Sequence, residues 1–133
     1  MKFLTQTKFY DPTAGVRGNC MMACYASFFD LELSQVPAIE ELFDDESVSW
    51  YERLVNWLNS LGYDEERNHF KQGRPVDPAE SGYKDYYFAV GPASRGVHHM
   101  VIYRHGKLVH DPHPSREGLL QVDGFITLKK LTQ

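Results

Sequence analysis

Residues 20–29 read Cys-Met-Met-Ala-Cys-Tyr-Ala-Ser-Phe-Phe, a run that is apolar on nearly every side of a helix. A helix without a polar face must be covered on most sides, so it forms the spine of the domain that contains it. Asn19 is a good N-cap, which makes Cys20 the first helical residue. The preceding stretch, 11–18, is rich in turn formers and reads as a loop. A chain of 133 residues is one domain's worth, 1–133. A chain of this length buries roughly two thirds of its surface, enough for a core without disulfide or metal staples.

The remaining elements follow from periodicity and punctuation. Residues 3–9 form a candidate edge strand. Ser34 is placed to cap a short helix reaching about 43, with Pro37 tolerated in its first turn. Between 47 and 61, Trp50, Leu54, Trp57, Leu58 and Leu61 fall on one helical face, and Gly62 ends the run. Residues 64–82 are polar and broken by glycine and proline, which predicts a long loop serving as a cleft wall or lid. Strands are expected at 86–90, 97–103, 107–110 and 122–128, with a loop at 91–96. Helices first and antiparallel strands afterwards define an α+β fold, with the apolar helix packed on the sheet.

Charge and targeting signals narrow the function. The net charge is −4, which argues against a nucleic-acid partner. Residues 1–4 run straight into Thr-Gln-Thr-Lys, so no apolar signal core is present, and no apolar run is long enough to span a membrane. The expected compartment is the cytoplasm. Cys20 and Cys24 would share one helix face, which is poor disulfide geometry.

Cys20 is the sharpest chemical feature. A cysteine opening a helix lies at the positive end of the helix dipole, which favours thiolate. Cys24, one turn further on among apolar neighbours, reads as core. A thiolate nucleophile needs a base and a group that orients the base. Five of the six histidines lie between 98 and 113. Neighbouring strand residues point to opposite faces, so only one of His98 and His99 can look at Cys20. A two-residue turn at His105-Gly106 would put His99 and Asp111 on opposite faces. A three-residue turn, 104–106, pairs 99 with 111 and keeps both on one face, and Gly106 suits its last position. His98, His99, His110, Asp111 and His113 also form a conceivable zinc set, but no helical His-x-x-x-His or Cys-x-x-Cys accompanies them, and no bound metal or other cofactor is expected.

Three motifs carry a resemblance: Gly18-Asn19-Cys20 opening an apolar helix, the strand led by His99-Met100-Val101-Ile102, and Asp111-Pro112 closing the next strand. In this order they resemble papain-like cysteine peptidases, and more closely the bacteriocin-leader peptidase group with its stand-alone bacterial and phage relatives. The resemblance covers about 5–30 and 86–114. It implies a papain-like fold and cleavage of an amide or isopeptide bond in a peptide or other amide-containing substrate. It casts Cys20 as nucleophile, His99 as base and Asp111 as orienting acid. Such enzymes place a glutamine shortly before the cysteine to bind the oxyanion. Here the upstream glutamine is Gln6, fourteen residues away, with Asn19 as the alternative donor. Arg95 and Arg116 are candidates for an acidic group on the substrate. Two rival readings stand beside hydrolysis: acyl transfer to an amine by the same triad, as in a transglutaminase, and a catalytically silent binding module.

Overall fold

The computed structural model describes residues 1–131. Two helices pack on a five-stranded antiparallel sheet. Helix α1 (Cys20–Phe28) is buried from Met21 to Ser27, as its all-apolar surface requires. Helix α2 (Trp50–Ser60) is amphipathic and buries Leu54 and Leu58. It starts where Ser49 accepts the Glu52 N–H at 3.2 Å, and ends before Gly62, whose φ of +84° only glycine adopts without cost. Between the helices, Pro37 splits the expected single helix of 34–43 into two 3-10 turns, Leu33–Gln35 and Ile39–Leu42. Glu32, not Ser34, caps the first of them.

The strands are β1 (Tyr63–Glu66), β2 (Phe70–Lys71), β3 (Arg74–Pro75), β4 (Tyr87–Pro92), β5 (His98–Arg104), β6 (Lys107–His110) and β7 (Gly124–Lys130). The main sheet runs β1-β7-β4-β5-β6, and β2 with β3 forms a separate hairpin. Helices and 3-10 turns cover one face, where Met22, Tyr25, Leu54 and Leu58 meet Phe88, Met100, Ile102 and Ile126. Tyr87, Ala89, Val101 and Phe125 form a second apolar cluster with Leu119 and Val122.

Three further expectations are corrected. Residues 3–9 are not a strand. Their polar backbone groups are met instead by the loop after β6 and by Asn19, as when Gln6 N–H donates to Pro112 O at 2.8 Å. Residues 64–82 are not one long loop. They hold most of β1, the β2–β3 hairpin and a 3-10 turn, Pro78–Ser81. Charged Tyr-Asp-Glu-Glu carries no apolar alternation, which is how an edge strand avoids unwanted pairing. Third, β4 extends through Gly91 and Pro92, which pair with His99 and His98, so the expected loop begins two residues later.

Gly91 is required where it stands. The segment leading into β7 crosses the end of β4, with Leu120 N–H donating to Pro92 O and Asp123 N–H to Val90 O, both at 2.8 Å. A Cβ on residue 91 would lie 2.0 Å from the Gln121 carbonyl oxygen. Gly91→Ala is therefore expected to cost about 1–3 kcal/mol or more in urea unfolding, because backbone rather than a flexible side chain must move. An unchanged midpoint would mean that the crossing segment shifts freely.

Candidate active site

The site is assembled at the N-terminal end of α1. Cys20 opens the helix and is partly exposed, whereas Cys24 is fully buried and its thiol donates to Met100 O at 3.5 Å. Burial pushes the Cys24 thiol well up, with the nearby Cys20 and Asp111 adding to the effect. Cys24 is core, as its sequence position suggests.

His99 and Asp111 meet, but not by the expected turn. His105 and Gly106 form a two-residue turn, with φ of +54° and +76° and Arg104 paired to Lys107. Alone, that turn would put His99 and Asp111 on opposite faces. A bulge between Ile102 and Tyr103 shifts the register by one, so Ile102 pairs with His110 while Tyr103 pairs with Leu108. The extra residue on β6 restores the parity. His99 Nε2–H then donates to Asp111 Oδ1 at 2.6 Å, with the two residues only 3% and 1% exposed. His98, its neighbour, is exposed.

The Asp111 carboxylate is saturated. Oδ1 also accepts His113 N–H, and Oδ2 accepts Gly118 N–H, both at 2.8 Å. Burial favours the neutral acid, but these three donors outweigh it and hold Asp111 down at about 2. Burial likewise opposes charge on His99. Its bond to Asp111, with Cys20 close by, reverses this and raises His99 to about 9. Since Nε2 is committed to Asp111, Nδ1 is the ring nitrogen left free.

The two oxyanion candidates part company. Gln6 lines the cleft with Cys20, and it is 6% exposed. Residues 11 and 16 bridge each other and close a loop, so the chain returns and Asn19 N–H donates to Lys8 O at 3.2 Å. Gln6 Nε2 donates to the same carbonyl at 2.9 Å, which leaves its second proton for the cleft. Gln6 Oε1 is buried without a partner. Asn19 does not line the cleft. Its side chain makes no cap bond; Oδ1 accepts Thr7 N–H and Lys8 N–H at 3.0 and 2.9 Å, and Nδ2 donates to Thr7 Oγ1. Asn19 is a brace for the N-terminal segment.

The arginines part company too. Arg95 stands on the cleft rim. Arg116 is a strut outside the cleft lining: Nη1 donates to Asp111 O at 2.6 Å and Nη2 to Thr5 Oγ1 at 2.6 Å. The loop after β6 is thereby tied to the N-terminal segment from which Gln6 projects.

The cleft holds about 790 Å³. Met21, Phe43 and Trp50 give it an apolar wall, and Tyr10 and Arg17 lie on its rim beside them. From 64–82, expected as a cleft wall, only Arg67 lines it. His113, weighed in the sequence only as a metal ligand, and Phe9 also line it. The His113 ring stands edge-on to His99 with centroids 6.3 Å apart, and Phe9 stands edge-on to His113 at 5.4 Å. The one available signal for His113 was its place two residues beyond Asp111.

The other histidines are dispersed. His110 Nε2 bonds Leu4 O, and His69 Nε2 bonds Thr127 Oγ1. Among the described residues no group of three or more His, Cys, Asp or Glu side chains is arranged to hold a metal ion. No helix among them is long and apolar enough to cross a membrane. No family model, curated protein or solved structure matches this chain.

The paired shifts dictate a pH profile for stability. His99 binds its proton more tightly when folded, so its contribution is complete below 6.5 and is lost as the pH rises through about 9. Asp111 binds its proton more weakly when folded, so its contribution is complete above 3.8 and is lost as the pH falls through about 2. The urea midpoint is expected to fall on both sides of this plateau, and Asp111→Asn to shrink the alkaline fall. Parallel profiles for wild type and variant would show that the pair is not the source.

Proposed function

We propose that this protein is a papain-like cysteine hydrolase acting on an amide or isopeptide bond. The observation that carries the reading is the buried 2.6 Å bond from His99 Nε2–H to Asp111, which leaves Nδ1 for a cysteine at a helix start in an open cleft. A histidine held by a carboxylate beside a cysteine at a helix start is the arrangement of a cysteine nucleophile with its base.

In this mechanism Cys20 Sγ attacks the substrate carbonyl carbon. The negative charge that develops on oxygen is met by the Cys20 backbone N–H and the free Nε2 proton of Gln6. His99 delivers its Nδ1 proton to the leaving amine as the C–N bond breaks, leaving a thioester on Cys20. His99 then takes a proton from water, hydroxide adds to the thioester, and the carboxylic acid departs as the thiolate reforms. Asp111 keeps the ring oriented and supports its positive charge throughout. Two unpaired cysteines fit a reducing compartment, so the cytoplasm is the proposed location.

Brief exposure to iodoacetamide near neutral pH, followed by peptide mapping, tests the nucleophile. Cys20 is expected to label far faster than the buried Cys24, and His99→Ala to slow it by about tenfold or more. His98→Ala is expected to leave the rate largely unchanged. Equal labelling of the two cysteines, or indifference to His99→Ala, would remove the hydrolase reading. Labelling with an electrophilic peptide probe, and product analysis with and without added amine, separate hydrolysis from acyl transfer.

A further inference from the structure

We infer that the cleft accepts a substrate whose leaving half carries a carboxylate, and that Arg95 is the specificity residue that receives it. The inference rests on the cysteine hydrolase reading and adds a direction and a charge to its substrate.

The direction follows from the proton. The leaving amine takes its proton from His99, so the leaving half extends along the His99 side of the sulfur. On that side a short path leads along the rim. His113 stands edge-on to His99 at 6.3 Å, His113 Nδ1 shares a hydrogen bond with Ser115 Oγ at 3.0 Å, and Arg95 Nη1 lies 3.4 Å from the same hydroxyl. The apolar wall of Met21, Phe43 and Trp50 is left for the acyl half.

The charge follows from which arginines are already neutralised. Three arginines line the cleft. Asp44 grips Arg17 with two bonds, at 2.6 and 2.9 Å. Arg67 is paired with Glu65, whose side chain is fully buried. Among the described residues Arg95 has no carboxylate within ion-pair distance, and its one hydrogen bond is the long contact to Ser115. Glu117, which accepts Ser94 Oγ–H at 2.5 Å, is not within ion-pair distance of Arg95. A guanidinium presents a planar fork of donors that matches a carboxylate, and here most of that fork is unused. The Arg95 backbone is held by a tight turn in which Ala93 N–H donates to Val97 O at 2.9 Å and Gly96 N–H to Ala93 O at 3.0 Å. His113, between Arg95 and His99, is held towards its neutral form by burial and by the Arg95 charge, so it does not compete as a cation.

Alkylation of Cys20 by paired probes tests the inference. In bromoacetyl-Ala-Asp-amide and its Asn counterpart the peptide leaves the sulfur in the N-to-C direction, as a leaving half does. The Asp probe is expected to react faster, and Arg95→Gln to lower the Asp/Asn rate ratio by about three- to fivefold, the yield of one exposed ion pair. Arg95→Lys is expected to retain part of the preference, and iodoacetamide to react with Arg95→Gln as with wild type. Acetyl-Asp-Ala-chloromethyl ketone and its Asn counterpart place the acid on the acyl half, where Arg95→Gln is expected to change nothing. A ratio unmoved by Arg95→Gln would overturn the inference and leave Arg95 a solvated side chain. Equal dependence in both probe pairs would overturn the direction. Slow iodoacetamide labelling of Cys20 in every variant would strike at the hydrolase reading instead, while the ratios still report on Arg95.

Discussion

A buried carboxylate with every oxygen occupied is the interaction on which the site depends. An isolated charge as buried as Asp111 would cost several kcal/mol, so it persists only with excellent partners. Asp111 has three: the His99 ring and the backbone N–H groups of His113 and Gly118. Each partner fixes something else. The ring bond sets which nitrogen of His99 is left free. The two backbone bonds fold the loop after β6 back on itself, with Arg116 and Gly118 at positive φ. That loop offers Pro112 O to the Gln6 N–H, and so Gln6, His99 and Asp111 share one frame.

A second frame holds the helix start. Asn19 accepts two backbone N–H groups of the N-terminal segment, and Lys8 reaches across to Glu40 and Glu41 at 2.8 and 2.9 Å. Glu40 is 3% exposed, so this ion pair is protected from solvent on one side. The segment 5–8 thus behaves as a strap over the helix N-terminus. It positions Gln6 without belonging to any sheet.

The apolar helix, the α+β order and the Cys20–His99–Asp111 grouping were legible because each rests on short-range pattern. The helix needed only its lack of a polar face; strand alternation left one of His98 and His99 to face Cys20, and the pairing with Asp111 together with the family resemblance chose His99. The parity of His99 and Asp111 came out as expected through a different device. A two-residue turn and a bulge give the same face as a three-residue turn, and a bulge leaves no mark in Leu108-Val109 that a regular strand would lack. What was illegible depends on partners distant in sequence. Charged β1 is a strand because β7 lies beside it. Asn19 looked like a cap because caps are local, yet its side chain found backbone donors eleven and twelve residues upstream. Arg116 looked like a free cation until the loop brought Thr5 to it.

The most direct test of this account is the protonation state of the His99 ring, read by 15N NMR of histidine-labelled protein with His99 assigned through His99→Gln. The account expects both ring nitrogens to be protonated at neutral pH, a strongly deshielded Nε2 proton that disappears in Asp111→Ala, and loss of the ring charge only towards about 9. A His99 ring that titrates near the ordinary 6.5 with no deshielded proton would contradict it, because Asp111 would then not be holding the imidazole in the form that serves Cys20.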